Sequence, residues 1–92
     1  MIRESDLFSD GEWARTQSEL GLSPRQGQIV RQLLQGKADK QIADDLKISP
    51  ATVRTHMRRL FAKYELNDRL ELTLLVLKAL RGQVRPPLPP EP

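Results

Sequence analysis

The sequence predicts an all-α protein: a four-helix core of helix-turn-helix type, preceded by one extra helix and followed by a disordered proline-rich tail. Three observations carry this expectation. The pair Ser-Pro occurs at Ser23-Pro24 and again at Ser49-Pro50, each time ahead of apolar residues spaced three and four apart. Serine offers a capping oxygen and proline suits the first helical position, so each pair reads as a helix start. Second, the pattern over Asp39 to Leu46 is followed by only Lys47-Ile48-Ser49 before the next start signal, and two helices joined this tightly form a helix-turn-helix. Third, 92 residues at 38% apolar composition supply one modest core, hence one domain with tails.

The elements follow in order. Residues 1 to 8 read as a frayed terminus. The first helix opens at Ser9 or Asp10, either of which can cap it, with Glu12 favourable in the first turn. Trp13, Gln17 and Leu20 share its face, and Gly21 ends it. Few basic residues surround Trp13, so it is read as packing on the core rather than stacking on a base. Ser23-Pro24-Arg25-Gln26 opens the second helix with a capping box; Ile29, Val30, Leu33 and Leu34 form its buried stripe and Gly36 stops it. Gly27 inside this helix costs about 1 kcal/mol relative to alanine, a conflict that packing must override. The third helix buries Ile42, Ala43 and Leu46.

The fourth helix, residues 50 to 64, turns Val53, Met57, Leu60 and Tyr64 inward. On its other face Arg54 and Arg58, four apart, project together with Thr55, Arg59 and Ala62 beside them. The fifth helix, from near Asp68 to about Arg81, has more apolar residues than one stripe can bury. Leu70, Leu74 and Leu77 are expected to face the core, leaving Leu72, Leu75, Val76 and Ala79 as an exposed patch suited to self-association. From Gly82 the segment ending in Pro92 should be extended. The organisation is then an extension over 1–21, a domain over 22–81 and a tail over 82–92.

The net charge of +3 is unevenly placed: Lys37 to Lys63 holds seven basic residues against three acidic, and the remainder eight against nine. A basic stretch on a nearly neutral body is the footprint of a polyanion binder, with a solvated charged face as the plain alternative. Cysteine is absent, which excludes disulfides, thiolate metal sites and cysteine nucleophiles and suits a reducing cytoplasm. Nothing resembles a signal peptide, and the longest apolar stretch, Leu72 to Leu77, is interrupted by Thr73 and far short of the about 20 residues that cross a bilayer. His56 is the only histidine and the five glycines are dispersed, so no metal pair, two-histidine constellation or phosphate-binding loop is available. Asp44 and Asp45 adjoin on a helix and point about 100° apart. No enzyme, cofactor or metal is expected.

The residue types suit double-stranded DNA. An arginine fork can meet guanine O6 and N7 together, which makes Arg54 and Arg58 candidate base readers, with Thr55 between them able to touch a thymine methyl or a phosphate. Ser49, Thr52 and the free amides at the helix start suit phosphate, and Lys40 and Lys63 would flank the groove. Arg59 joins the phosphate set. His56 either bonds a phosphate or sits idle at the helix edge. Arg54 or Arg58 could instead pair with Asp44 or Asp45.

Leu22 to Leu80, about two thirds of the chain, resembles the LuxR-type (GerE-like) helix-turn-helix domain of bacterial transcription regulators. The resemblance is carried by Leu22-Ser23-Pro24-Arg25, Leu33-Leu34-Gln35-Gly36, Asp39-Lys40-Gln41-Ile42-Ala43 and the run from Ile48 to His56, continuing through Leu60, Lys63, Leu66, Arg69, Glu71 and Leu72. It implies that the helix after the Ile-Ser turn enters the major groove and that the last helix makes a dimer on a two-fold symmetric site. By position it gives base contacts to Arg54, Thr55 and Arg58, and phosphate contacts to Lys40, Thr52, His56 and Lys63. Gln26 stands where the family usually has glutamate, closing the capping box without an ion pair, for example to Arg69; Gln28 replaces a second glutamate, and Ala38 the usual serine cap. These departures bear on stability more than on DNA contact. Twenty-one residues before Leu22 would leave no room for the receiver or ligand-binding domain that family members often carry, so if the chain is complete as given a likeness to stand-alone members is expected.

The expected partners are double-stranded DNA and a second copy of the chain, with RNA polymerase or a regulatory protein as a further partner and no membrane; the expected location is the cytoplasm, on the nucleoid. Two other readings remain open: a module like region four of sigma factors, and a protein-interaction module that docks through the leucine-rich last helix.

Overall fold

The computed structural model describes residues 8–82. The expectation of a frayed start over 1–8 is corrected at Phe8, which is buried and stacks on Trp13 with ring centroids 5.4 Å apart; its remainder, 1–7, and the tail over 83–92 lie outside the described residues. Five helices follow one another: α1 (Asp10–Glu19), α2 (Pro24–Leu34), α3 (Asp39–Leu46), α4 (Pro50–Tyr64) and α5 (Arg69–Leu80), with no strand among the described residues.

Local chemistry sets the helix ends. Ser9 Oγ accepts from the Glu12 amide at 3.1 Å and the Glu12 carboxylate accepts from Ser9 N at 3.0 Å, a reciprocal box that satisfies two orphan donors. The bond from the Ser9 backbone is the main reason that the Glu12 carboxyl lies below the usual range. Ser23 and Gln26 repeat the box at 3.1 and 3.0 Å, so an amide closes it as well as a carboxylate. At α3, Ala38 has no capping oxygen, but the Gln41 carboxamide accepts from Ala38 N at 2.9 Å and keeps half of the device. Asp68 caps α5 through the Glu71 amide at 2.9 Å.

The turn between α3 and α4 depends on Lys47, a non-glycine residue at φ 57°. That left-handed step lets Ile48 N reach Ala43 O at 3.0 Å, closing α3 just before Ser49 caps α4. Helices α3 and α4 pack together, and both touch α2.

One core contains Trp13 and Leu20 from the α1 region, Ile29 and Val30 of α2, Ile42 of α3, Val53 and Leu60 of α4, and Leu72 and Val76 of α5. Helix α1 runs back along α2: Arg31 pairs with Asp10 at 2.7 Å, and nearer the connection between the two helices Gln17 lies over Gly27. A Cβ on Gly27 would stand 2.6 Å from the Gln17 carboxamide, so the glycine in mid-helix makes room for α1. Arg15 then donates to the Leu80 carbonyl at 2.8 Å, fastening α1 to the end of α5.

The expected phase of α5 is corrected. Leu72, Val76 and Ala79 are 2%, 0% and 0% exposed, whereas Leu70 and Leu74 are 66% and 49% exposed. Leu72, Val76 and Ala79 are therefore core and do not form a surface patch; Leu75 and Leu77 are half-buried. A helix apolar on most sides carries no phase of its own, and the phase is chosen by what packs on it. Here α1 does so, with Ala79 and Leu80 buried near the Arg15 attachment.

Candidate nucleic-acid interface

Val53, Met57 and Leu60 bury one side of α4, which turns Arg54, Arg58 and Arg59 outward, all exposed. None of the three has a hydrogen-bond or ion-pair partner among the described residues, and the same holds for Lys40, exposed on α3. Neither acid offered as an alternative partner pairs with the ridge: Asp45 accepts from Lys37 at 2.6 Å, and Asp44 is exposed with no ion pair among the described residues; Asp39, nearby, pairs with Arg69. Unpaired guanidinium groups on an exposed helix face retain their full donor forks for an outside acceptor.

At the start of α4 the Ser49 hydroxyl accepts from the Thr52 amide at 3.0 Å and shares a 2.9 Å hydrogen bond with the Thr52 hydroxyl. Two hydroxyls joined by one bond leave one O–H proton for an external acceptor such as a phosphate oxygen. Thr55 donates its hydroxyl to the Ala51 carbonyl at 3.0 Å, which leaves it a methyl group and an acceptor lone pair but no donor. His56 is half-buried, with Nδ1 out of solvent and unpartnered, so a phosphate would meet Nε2.

Lys63 is directed elsewhere. Its ammonium lies 3.3 Å from the Leu20 carbonyl oxygen and 3.0 Å from that of Gly21, at the end of α1. The sequence contains these partners, but 42 or more residues away, and nothing local points to them.

Sequence reasoning also missed the brace beneath the ridge. Arg69, first residue of α5, pairs with Asp39, first residue of α3, and lies 3.6 Å from Met57 Sδ of α4. The three helices that carry and support the ridge are thereby tied at one point. Arg54, Arg58 and Arg69 also line a shallow cleft of about 460 Å³ above Met57 and Phe61. A charge at position 39 facing one at 69 is visible only once the fold is known.

Such an arrangement, a short support helix, a three-residue turn and a second helix with a free basic face, defines a helix-turn-helix protein. The chain belongs to the luxR family of bacterial regulatory proteins, whose family model matches residues 20–76. It is 39% identical over 82 residues to the nitrate/nitrite response regulator protein NarP of Escherichia coli (strain K12), covering 89% of this chain and 36% of that protein. It is 38% identical over 64 residues to an uncharacterized transcriptional regulatory protein, YhcZ, of Bacillus subtilis (strain 168), covering 68% of this chain and 30% of that protein. With the monoamine regulon transcriptional regulator of Klebsiella aerogenes it shares 43% identity over 51 residues, 55% of this chain and 22% of the regulator. The chain thus spans about a third or less of these relatives' length. No solved structure matches it at significance. Among the described residues no helix is long and apolar enough to cross a membrane.

Proposed function

We propose that the chain is a sequence-specific double-stranded DNA-binding transcription regulator that inserts α4 into the major groove. The observation that carries this reading is the row of arginines on the exposed side of α4 that have no partner among the described residues, in a chain whose relatives include named transcriptional regulators. Arg54 and Arg58 read base edges, each able to engage guanine with both fork nitrogens, and Thr55 contributes its methyl group to a thymine. Lys40, Arg59, His56 and the Ser49–Thr52 hydroxyl pair at the amino end of α4 hold phosphates and set the register.

The domain acts as a dimer on two half-sites, as two-fold operators require of helix-turn-helix proteins. The surface available on α5 is that of Leu70, Leu74 and half-buried Leu75; Leu74 and Leu75 line a shallow depression with Leu66, Glu71 and Lys78. Exposed leucines grouped on one helix face favour an apolar partner, and a second copy presents the same face.

Selection from randomised duplex tests this. Wild-type protein is expected to enrich a two-fold symmetric motif containing guanine in each half-site, and the Arg54→Ala/Arg58→Ala double variant to lose the motif while keeping weak, salt-sensitive binding. Equal recovery of all sequences by the wild type would remove the sequence-specific reading.

A further inference from the structure

The last turn of α4 is fastened to the end of α1 by two adjacent side chains. The Tyr64 hydroxyl donates to the Leu20 carbonyl. Lys63 Nζ donates to the Leu20 and Gly21 carbonyls, and sits 5.6 Å from the centre of the Tyr64 ring. Helix α1 has no basic residue in its own last turn, so the negative end of its dipole receives its cation from α4. Gly21, at φ 63°, leaves space for that ammonium, since a Cβ there would stand 2.9 Å from Nζ. Among the described residues Arg54, Arg58 and Arg59 have no such partner, whereas Lys63 is committed to α1.

We propose that α1 is a coupling element for the DNA-reading helix, with Lys63 and Tyr64 as the positioning pair. While α1 is docked, the pair fixes the carboxyl end of α4 and Lys63 is withheld from DNA. When α1 is displaced, the Leu20 and Gly21 carbonyls leave with it and Lys63 is free to take a phosphate. Docking of α1 and the electrostatic part of DNA binding therefore oppose each other through one lysine. This rests on the DNA-binding reading above.

The signature is the salt dependence of binding, because each phosphate contact adds about 0.9 to the slope of log affinity against log salt. Lys63→Gln, Arg59→Gln, Arg15→Gln and the Arg15→Gln/Lys63→Gln pair are compared in the full chain on a generic duplex. Amide exchange at Leu20, Gly21 and Leu22 is followed alongside. Arg59→Gln should lower the slope by about one and leave exchange unchanged. Lys63→Gln should leave the slope unchanged and speed exchange several-fold. Arg15→Gln, which loosens α1 from α5 without touching α4, should raise the slope, and adding Lys63→Gln should cancel the rise. A slope that falls in Lys63→Gln as it does in Arg59→Gln, with exchange unaltered, overturns the coupling and makes Lys63 an ordinary phosphate contact. Failure of the wild type to bind any duplex overturns the functional reading and this proposal together.

Discussion

Arg69 and Asp39 form an ion pair between the first residues of α5 and α3, and the same guanidinium lies against Met57 on the inner side of α4. The pair is partly exposed, 42% at Arg69 and 22% at Asp39, so its Coulombic worth is screened. Arg69→Gln is expected to lower stability by about 1 kcal/mol or less. A double-mutant cycle with Asp39→Asn in urea should return a coupling of roughly 0.5 kcal/mol, and none if the contact is incidental.

The opposite faces of α5 should respond very differently to truncation. Leu72→Ala empties a fully packed site and is expected to cost about 2–5 kcal/mol, whereas Leu74→Ala should stay within about 0.5 kcal/mol. Thermal melts of the two variants decide the phase of the helix. For the proposed dimer, Leu70→Lys/Leu74→Lys should leave the fold intact and abolish self-association in sedimentation; self-association that persists would place an interface elsewhere.

These contrasts mark what the sequence could reveal. Boundaries of α2 and α4 were legible because start signals, caps and stripes agreed: Ser23 with Gln26, Ser49 with Pro50, and Gly36 past the end of α2; α3, whose Ala38 offers no capping oxygen, was bounded by its apolar pattern and by the start signal that follows it. The arginine ridge was legible for the same reason, since Val53, Met57 and Leu60 fix the inward side and leave Arg54 and Arg58 only outward. The phase of α5 was not, because leucines on most sides of the helix give equal weight to several orientations and only α1 breaks the tie. Long-range polar partners were equally hidden: Lys63 read as a groove-flanking cation until the Leu20 and Gly21 carbonyls lay beside it.

Gly27 offers a test of how closely α1 lies on α2. Gln17 has a flexible end that can swing aside, so Gly27→Ala should be close to neutral, a helix-propensity gain offset by displacement of the carboxamide. In a Gln17→Ala background the same change should stabilise by about 1 kcal/mol. An equal effect in both backgrounds, measured by urea midpoint, would mean that Gln17 does not occupy the space above residue 27.

Tyr64 makes α1 docking sensitive to alkali. Burial raises its phenol above the ordinary value of 10.0. A group whose acid dissociation is suppressed by folding contributes stability that is complete below its unfolded pKa and is lost as pH rises through the folded one. The phenolate also cannot donate to Leu20. The protein is therefore expected to hold its stability up to about pH 10 and lose it above, with α1 loosening first. The chain has one tyrosine and one tryptophan, so tyrosinate absorbance and Trp13 fluorescence report the two events separately. Tyr64→Phe should abolish the alkaline loosening; an unchanged profile would assign it to another group.

Base-by-base binding by Arg58→Ala, set against Arg59→Ala on the selected operator and its single-base variants, tests the placement of α4 in the groove most directly. If Arg58 reads a base, its loss costs about 1–3 kcal/mol and erases discrimination at one position of each half-site, while loss of Arg59 weakens all variants alike and lowers the salt slope by about one. Uniform weakening by both variants, with discrimination intact at every position, would contradict the assignment of the α4 ridge to base reading.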